Sequence, residues 1–229
     1  MKNNNKHKAS IDDGFNPELV KNAHFEGLFE FPALDKPQKI VIPSGITPFS
    51  RQNEAPTSNE LLGFFEMDIK FADILRCPDN YIERFRKFTA ILPPDCSLYR
   101  DAPLYVQLLN VARSRIIGHY FQSKGLNVYP FVRWGNEETY TTCKLPKAFA
   151  FAGIPKDSII VISTYGCIKS KDDKYHFEAG LAECLKILTP KNVLVHGAMP
   201  EKVFGPYLKY TEFHQYPDWI TRKKGGQNG

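Results

Sequence analysis

SIIVIST, residues 158–164, is a run whose central residues are all apolar and β-branched. A strand of this kind has no polar face, which is typical of a parallel sheet covered by helices on both sides. A helix is predicted over Lys174–Leu188, ended by Pro190, and a second apolar strand follows at Asn192–His196. The sequence therefore predicts a strand–helix–strand unit with parallel strands and a right-handed crossover.

The same alternation of strands and helices extends upstream of this unit. The predicted strands are Lys39–Ile42, Leu61–Met67, Phe88–Leu92 and Asn127–Val132, and the predicted helices are Phe71–Leu75, Tyr81–Phe88 and Leu104–Lys124. Asp101 is the expected cap of the last helix, and Pro130 indicates an edge or a bulge in its strand. The expected fold class is α/β, with mainly parallel strands in a partial or irregular barrel-like arrangement. An open doubly wound sheet is the alternative.

The chain divides into one folded body and two polar ends. At 229 residues it fits a single α/β domain, which we place at residues 15–221. Within that domain, residues 15–60 form an irregular, Pro-rich opening segment, and residues 43–60 are predicted to be a long polar loop. Residues 1–14 and 222–229 are poor in apolar residues and are predicted to be disordered tails.

Charge and cysteine usage exclude several classes of protein. Six of the 30 basic residues lie within the two ends, which leaves 24 against 25 acidic residues in the body, so the net charge of +5 is weak evidence for a nucleic-acid-binding face. The five cysteines are widely spaced and form no CxxC motif, which predicts free thiols in a reducing compartment. No apolar leader or membrane-length run occurs, so the expected location is the cytoplasm, with no membrane partner.

Polar residues follow most of the predicted strands. In parallel α/β folds ligands bind at the carboxyl ends of the strands, so these residues are the candidate site. Asp95 and His196 are the candidate catalytic residues, because a carboxylate and an imidazole can transfer protons. The candidate ligand-binding residues are Arg133, Trp134, Arg113, Ser163, Thr164 and Tyr99.

Several of these residues also have a purely structural interpretation. Asp95 follows two prolines and fits a turn whose side chain bonds backbone amides. For His196, a buried histidine bonded to the backbone is the more common case. Arg133 and Trp134 fit an ion pair stacked at a tight turn as well as they fit a ligand clamp. No G-x-S-x-G motif surrounds Ser163, which disfavours a hydrolase-type nucleophile. No metal site is predicted, and no cofactor is identified: there is no HExxH motif, and no glycine-rich phosphate loop follows a strand.

The long helix at residues 104–124 carries two arginines. At 100° per residue Arg113 falls in the middle of the apolar face, and Arg115 falls on the opposite flank. An unpaired buried guanidinium is very costly, so we expect Arg113 to bond a carboxylate, with Asp95 and Asp101 nearest, or the carbonyls of strand ends. The alternatives are that Arg113 extends to solvent or contacts a ligand.

A set of short motifs gives the sequence a family resemblance. They are a D-[FC]-S-x-[YF] turn at 95–99, an R-x-R pair at 113–115, R-W-G at 133–135, G-I-P at 153–155 and S-T-x-G at 163–166. Over roughly residues 40–206 the chain resembles a bacterial and phage family of unknown function, catalogued as forty-four seventeen. The resemblance implies a gene of prophages, plasmids or other mobile elements, and it carries no established activity. Cys96 stands where a phenylalanine is usual, a change that concerns packing.

Two functions are compatible with these features. The first is a mobile-element accessory protein, of phage or plasmid type, with a polar pocket at the strand ends that binds or processes an anionic ligand such as a nucleotide or a nucleic-acid end. The second is a non-catalytic module that binds nucleic acid or a host protein, indicated by the basic ends and the Pro-rich opening segment. The sequence fits an enzyme and a binding module equally well.

Overall fold

The computed structural model describes residues 15–225, and its strands follow one another in sequence order. The strands are β1 (Phe25–Glu26), β2 (Phe31–Pro32), β3 (Gly45–Pro48), β4 (Glu60–Gly63), β5 (Ala90–Ile91), β6 (Ile159–Ser163), β7 (Asn192–His196) and β8 (Glu212–Tyr216). An antiparallel hairpin joins β1 and β2. The other strands form two parallel three-stranded sheets, β3-β4-β5 and β6-β7-β8.

A short extended segment joins the two parallel sheets. Val128 pairs with Ile91, and Phe131 pairs with Val161, both in the parallel sense. Pro130 lies between the two bridges and has no N–H to donate, so the segment makes isolated bridges instead of a continuous strand. The predicted α/β class with parallel strands is therefore confirmed. Sequential strand order resembles a barrel more than a doubly wound sheet, whose order reverses at a switch point.

The two parallel sheets and the segment that joins them form one strand layer. Helices cover this strand layer and connect its strands. They are α1 (Ala72–Arg76), α2 (Ile82–Phe85), α3 (Leu104–Ser123), α4 (Glu137–Tyr140), α5 (Lys171–Leu188), α6 (Glu201–Phe204) and α7 (Trp219–Gly225). The residue at the cap position of α3 is Pro103, so the prediction that Asp101 caps it is wrong. A capping box of Ser170 and Asp173 starts α5 three residues before the predicted start at Lys174. None of the helices in the described part of the chain is long and apolar enough to cross a membrane.

Short 3-10 helices fill several of the connections. They lie at Pro17–Val20, Phe49–Glu54, Asp68–Lys70, Pro78–Tyr81, Phe149–Phe151 and Gly205–Tyr207.

Both faces of the second sheet are buried along β6 and β7, as the apolar sequence of these two strands requires. Val161 and Leu194 share one hydrophobic cluster with residues of the first sheet such as Leu61. Their sequence neighbours Ile160 and Val193 face the other way, into a second cluster that α5 covers. This alternation follows from the period of two along a strand. It leaves the strand ends as the place where polar side chains reach solvent.

The first predicted strand, Lys39–Ile42, is wrong. The Tyr129 hydroxyl accepts a hydrogen bond from the Val41 N–H (2.7 Å) and donates to the Val41 carbonyl (2.8 Å). The Asn127 amide donates to the Lys39 carbonyl (2.9 Å). Side chains thus satisfy the backbone groups that a neighbouring strand would otherwise bond, and the segment stays irregular.

Two strands of the parallel sheets lie where the sequence predicts none, as does the short β1–β2 hairpin. β3 falls inside residues 43–60, the predicted polar loop. Only its two central residues, Ile46 and Thr47, are typical of a strand, because Gly45 and Pro48 stand at its ends. β8 reads Glu-Phe-His-Gln-Tyr and is partly exposed, so it has no apolar run to reveal it. Neither strand is rich in consecutive β-branched residues, which is the signal that identified β6.

The carboxyl-terminal helix approaches the open edge of the layer. The guanidinium of Arg222 donates to both carboxylate oxygens of Glu60 at 2.7 and 2.6 Å, next to Gly45 of β3. The prediction of a tail beginning at residue 222 is therefore wrong for residues 222–225, which are helical. The predicted tails at residues 1–14 and 226–229 lie outside the described residues. Within residues 15–225 no ladder joins β8 to β3, so the barrel is not closed.

Candidate functional site

Three of the candidate residues lie in one row at the carboxyl edge of the strands. Ser163 pairs with His196 in the β6–β7 ladder. Phe131 pairs with Val161, and Arg133 and Ser163 each lie two residues further along their segments. Arg133 is therefore next to Ser163 across the two parallel segments. Alternate residues of an extended segment share a face, so the side chains of the row project from the inner face of the layer. The parallel direction of the strands is what assembles this row.

A cleft of about 770 Å³ opens over the row. Its walls come from four connections: residues 98–101 after β5, residues 131–136, residues 163–167 after β6, and residues 172–177 at the start of α5. Arg133 and Ser163 line the cleft directly, whereas Asp95 and His196 are buried behind them. Four of the five strand-end connections considered in the sequence therefore meet here or directly beneath it.

Asp95 holds Arg133 in a bidentate ion pair. The Nε and Nη2 atoms of Arg133 donate to the two carboxylate oxygens of Asp95, each at 2.5 Å. The carboxylate is 4% exposed and the arginine side chain 26% exposed, so the guanidinium is the member of the pair that reaches the cleft. Burial raises the pKa of the Asp95 carboxyl against the opposing charge of Arg133. Burial acts to lower the pKa of Arg133, but the Asp95 carboxylate outweighs it and keeps that pKa above its ordinary value.

His196 contacts Ser163 through its ring nitrogen. Nδ1 of His196 lies 3.2 Å from the Ser163 hydroxyl oxygen. The imidazole stacks on the Phe65 ring, with centroids 4.1 Å apart and planes at 4°. Burial lowers the pKa of His196 to about 4, against the attraction of Asp218. The ring is therefore neutral at pH 7, and one nitrogen has a lone pair available to accept a proton.

Trp134 and Thr164 support the walls. The Trp134 indole N–H donates to the His176 carbonyl at 3.1 Å, and its ring packs beside Phe177. The ring also lies against Gly180 of α5, where an added Cβ would come within 2.2 Å of it, so only glycine fits there. The Thr164 hydroxyl is buried and donates to the Ala198 carbonyl at 2.7 Å. Both side chains have structural partners, whatever else they contact.

Two tyrosines extend over the rim of the cleft. Tyr99 and Tyr165 both line it, and each is 63% exposed. Tyr99 is a candidate from the sequence, but Tyr165 is not among the predicted site residues. The sequence feature that could have identified Tyr165 is its position in the S-T-x-G motif, directly after the predicted residues Ser163 and Thr164.

The far wall of the cleft carries acidic residues that the sequence analysis missed. Arg100 donates to Asp172 at 2.6 Å and to Asp173 at 2.5 Å, which links residues more than 70 positions apart in the chain. Asp101 lines the same wall. The cleft therefore has a cationic end at Arg133 and an acidic end near α5. No local sequence pattern reports an ion pair across such a separation.

The expected partners of Arg113 are wrong. Arg113 is half-buried and donates to the Asn110 side-chain oxygen at 3.2 Å, and no ion pair joins it to Asp95 or Asp101 in the described residues. The buried arginine of α3 is Arg115, which donates to the carbonyls of Ala152 (2.9 Å) and Ala150 (2.8 Å). Burial lowers the pKa of Arg115 to about 10.

The arginine assignment failed because polar residues share the buried face of α3 with apolar ones. That face contains Gln107, Asn110, Ser114 and Arg115. The positions of the apolar residues around the helix therefore predicted the wrong buried face.

Cysteine and carboxylate groups do not assemble a metal centre in the described residues. Within residues 15–225 no three His, Cys, Asp or Glu side chains are arranged to hold a metal ion. All five cysteines are free, and burial raises the pKa of Cys96 and Cys184 above the usual range. Cys167 lies beside Arg133, and burial raises the pKa of its thiol too.

Comparisons with known proteins show that the chain is similar to two proteins of mycobacteriophages. It is 33% identical over 170 residues to the "Gene 1 protein" of Mycobacterium phage D29, an alignment that spans 74% of this chain and 59% of that protein. It is 32% identical over 163 residues to the "Gene 1 protein" of Mycobacterium phage L5, which spans 71% of this chain and 67% of that protein. The chain thus spans well under two thirds of the D29 protein's length.

No solved structure matches the chain. The sequence profile of the family described as "Domain of unknown function (DUF4417)" matches residues 23–217, which is most of the chain and includes every strand of the layer. The family resemblance carried by the motifs is therefore confirmed, and this chain belongs to the DUF4417 family.

Proposed function

We propose that this chain is an accessory protein of phage or related mobile elements whose cleft binds an anionic ligand, either a nucleotide or the end of a nucleic acid. The observation that carries the proposal is the Arg133 guanidinium, fixed at the cleft by two bonds to the buried Asp95 and still partly exposed. A guanidinium held in one orientation loses little entropy when it bonds a phosphate oxygen. Asp95 acts in this proposal as a positioning residue, since both of its oxygens already accept bonds.

Charge in the cleft favours a ligand with one anionic group rather than a polyanion. Both arginines that line the cavity are paired, but the carboxylates that pair with Arg100, Asp172 and Asp173, line the cavity too. The carboxylate of Asp95 is buried, so at that end the guanidinium of Arg133 is the charged group that faces the cavity. A long phosphate backbone would meet the acidic wall near α5. A terminal phosphate at Arg133, with the attached base against Tyr99 or Tyr165, avoids that repulsion and uses the exposed rings for stacking.

The relatives support the phage setting of the proposal. Both "Gene 1" proteins belong to mycobacteriophages, and the matched region covers most of this chain. The free state of all five cysteines fits the reducing cytoplasm in which a phage accessory protein acts.

Thermal denaturation with candidate ligands tests the proposal. Nucleoside mono- and diphosphates and short 5′-phosphorylated oligonucleotides are added to the full chain. At a ligand concentration about 100 times Kd the stabilisation is about 2.7 kcal/mol, which raises Tm by roughly 5–10 °C for a chain of this size. Arg133→Lys should remove most of this shift. Lysine keeps the positive charge but lacks the planar guanidinium that can bond Asp95 and a phosphate at the same time. Arg84→Lys, on the exposed face of α2, is the matched control and should keep it. Absence of any shift with all of these ligands would contradict the proposal.

A second candidate function is a non-catalytic module that binds nucleic acid or a host protein. It is favoured by two exposed surfaces away from the cleft: Lys223 and Lys224 on α7, and the apolar tip of the β1–β2 hairpin with Leu28 and Phe29. Nucleic-acid binding through α7 should weaken as salt is raised, and replacing both lysines by alanine should abolish a band shift at low salt. A shift that persists in the double variant would argue against this surface.

A further inference from the structure

Ser163 and His196 form a pair that the proposed binding function does not use. The Ser163 hydroxyl lies 3.2 Å from Nδ1 of His196, and the Tyr165 N–H donates to the same hydroxyl oxygen at 3.2 Å. Ser163 lines the cleft, so this oxygen lies at the boundary between the buried pair and the cavity. The absence of a G-x-S-x-G motif weakens only one family of hydrolases, since nucleophile–base pairs are recognised by geometry and recur on unrelated folds.

The surroundings of His196 keep its ring uncharged, so a nitrogen lone pair is free to accept a proton, and they also make it a weaker base than a free imidazole. Its ring lies flat on Phe65, which fixes its orientation, and the Tyr165 ring is 6.0 Å away. The charged groups that act on it are Asp218 and Arg133, which have opposite effects. Burial, with Arg133 acting in the same direction, outweighs Asp218, so the pKa of His196 falls to about 4 and the imidazole is uncharged at neutral pH.

Arg133 completes the arrangement on the other side of Ser163. The Phe131–Val161 bridge and the β6–β7 register put Arg133, Ser163 and His196 side by side on three neighbouring segments, whose backbones are about 4.8 Å apart. An anionic group bound by Arg133 would therefore lie next to the serine hydroxyl. A nucleophile, a base and a cation in a row are the parts that transfer of a phosphoryl group requires.

We propose that Ser163 is a nucleophile, that His196 is its general base, and that Arg133 holds the phosphate ester that Ser163 attacks. This inference rests on the proposed binding of a phosphate at Arg133 and adds a reaction to it. The substrate class is a phosphate ester with a good or protonated leaving oxygen, as at the end of a nucleotide chain.

The reaction balances with water as the second substrate. The Ser163 oxygen attacks phosphorus, a serine O–P bond forms, and the P–O bond to the leaving alcohol breaks. The serine proton passes to Nδ1 of His196 and from there to the leaving oxygen. Water then attacks the phosphoserine, gives its proton to Nδ1, and the Ser163 oxygen leaves and takes that proton back. The sum is the hydrolysis of one phosphate ester by one water molecule.

Release of 4-nitrophenolate from 4-nitrophenyl phosphate by the full chain tests this reaction. We expect a burst equivalent to the enzyme present, with the phosphoryl adduct on the peptide that contains Ser163, detected by mass spectrometry. Ser163→Ala should abolish both signals. Ser158→Ala is the matched control: it removes a hydroxyl from a buried serine directly before the start of β6, at the end away from Ser163, and it should leave the burst unchanged. His196→Asn should slow the burst by about 10²–10⁴-fold, as expected for loss of a general base.

The outcomes separate this reaction from binding. Nucleotides should still raise the Tm of Ser163→Ala, because Arg133 and Asp95 are intact in it. Wild-type chain that is stabilised by nucleotides but releases no 4-nitrophenolate would overturn the nucleophile and leave the binding proposal standing. Equal release by wild type and Ser163→Ala would also overturn it. Turnover of 4-nitrophenyl acetate without turnover of the phosphate monoester would overturn the choice of substrate. If Ser163→Ala does not fold, His196→Asn decides the question, since it keeps the serine.

Discussion

Asp95 and Arg133 illustrate how one buried residue can fix the charge that a cleft presents. Both oxygens of the carboxylate are bonded, and the pair lies against the Phe131 ring, with the guanidinium carbon 5.7 Å from its centroid. A buried pair of this kind contributes little net stability compared with apolar residues, but removing one partner leaves the other charge uncompensated. We therefore infer that the pair serves to orient the guanidinium of Arg133, and that burying its two charges costs free energy of folding.

Asp95→Asn should destabilise the chain by about 3–5 kcal/mol, because it leaves the Arg133 charge without its carboxylate. Arg51→Ala removes an exposed pair with Glu54 and should cost less than about 1 kcal/mol. Urea denaturation of the three proteins at pH 7 gives both differences. An Asp95→Asn variant as stable as Arg51→Ala would mean that the buried pair is not formed.

His196 makes stability depend on pH. Its pKa is lowered to about 4 in the folded chain from an ordinary value of 6.5, so the unfolded chain binds the extra proton first as pH falls. The contribution is complete above pH 6.5 and is lost between pH 6.5 and 4, a loss of about 2–3 kcal/mol by pH 4.5.

Urea denaturation between pH 4.5 and 7.5 measures this dependence, and a His196→Asn variant is the comparison. The wild-type chain should lose about 2–3 kcal/mol more than the variant over that interval. Parallel pH profiles for the two proteins would show that His196 is not a buried neutral group.

At the level of elements, α3 is held to the sheet by hydrogen bonds as well as by apolar packing. Arg115 crosses from the helix to the carbonyls of Ala150 and Ala152, which no strand or helix satisfies. A buried carbonyl without a hydrogen-bond partner is costly, so the segment that contains Ala150 and Ala152 needs Arg115 as a donor. The buried guanidinium of Arg115 in turn needs these carbonyls as acceptors. In the R-x-R motif, Arg115 is thus the buried arginine that holds α3 in place, and Arg113 is half-buried and bonds only Asn110 in the described residues.

Arg115→Leu should destabilise the chain by at least about 2 kcal/mol, since it leaves two buried carbonyls without donors. Arg113→Leu should cost less than about 1 kcal/mol, because its described hydrogen bond is to a single neighbouring side chain on the same helix. The two variants form a matched pair on one helix, compared by urea denaturation. The reverse order of stabilities would mean that Arg113 is the buried residue after all.

Over the whole molecule, α7 fastens the open side of the strand layer. Glu60 of β4 is fully buried, and Arg222 and Thr47 bond its carboxylate. The Tyr216 hydroxyl at the end of β8 donates to the Pro43 carbonyl at 2.8 Å, close to the start of β3. The two edges of the layer are therefore linked by side chains where no ladder joins them.

Arg222→Ala should destabilise the chain by about 3–5 kcal/mol, because it leaves the buried Glu60 carboxylate without its cation. Lys223→Ala removes the next basic residue, whose exposed pair with Glu54 should contribute less than about 1 kcal/mol. Thermal or urea denaturation of both variants provides the comparison. Equal stabilities would show that α7 does not hold the layer.

The sequence predicts those parts of the fold whose signal is local. Uniformly apolar β6 and β7 and the helices α3 and α5 are identified from a few consecutive residues. β3 and β8 are missed because their stability comes from neighbours that are distant in sequence. The Lys39–Ile42 segment is mistaken for a strand for the converse reason, since side chains from Asn127 and Tyr129 bond its backbone.

The candidate site divides in the same way. Strand-end reasoning finds Arg133, Ser163 and His196, because the direction of a parallel strand decides where its last residue lies. It does not find the pairing of Arg100 with the start of α5, which depends on tertiary contacts. Nor does it give the role of Asp95, whose partner is 38 residues away.

The central claim is that a phosphate binds at Arg133 in the cleft. Trp134 lines that cleft, so its emission, measured in a Trp219→Phe background, reports on occupancy during titration with a short oligonucleotide. We predict a saturable change for the 5′-phosphorylated oligonucleotide and an affinity at least about 10-fold weaker for the same oligonucleotide with a 5′-hydroxyl, which corresponds to the loss of one charge-assisted hydrogen bond. Equal affinities, or no saturable change with either oligonucleotide, would contradict the account.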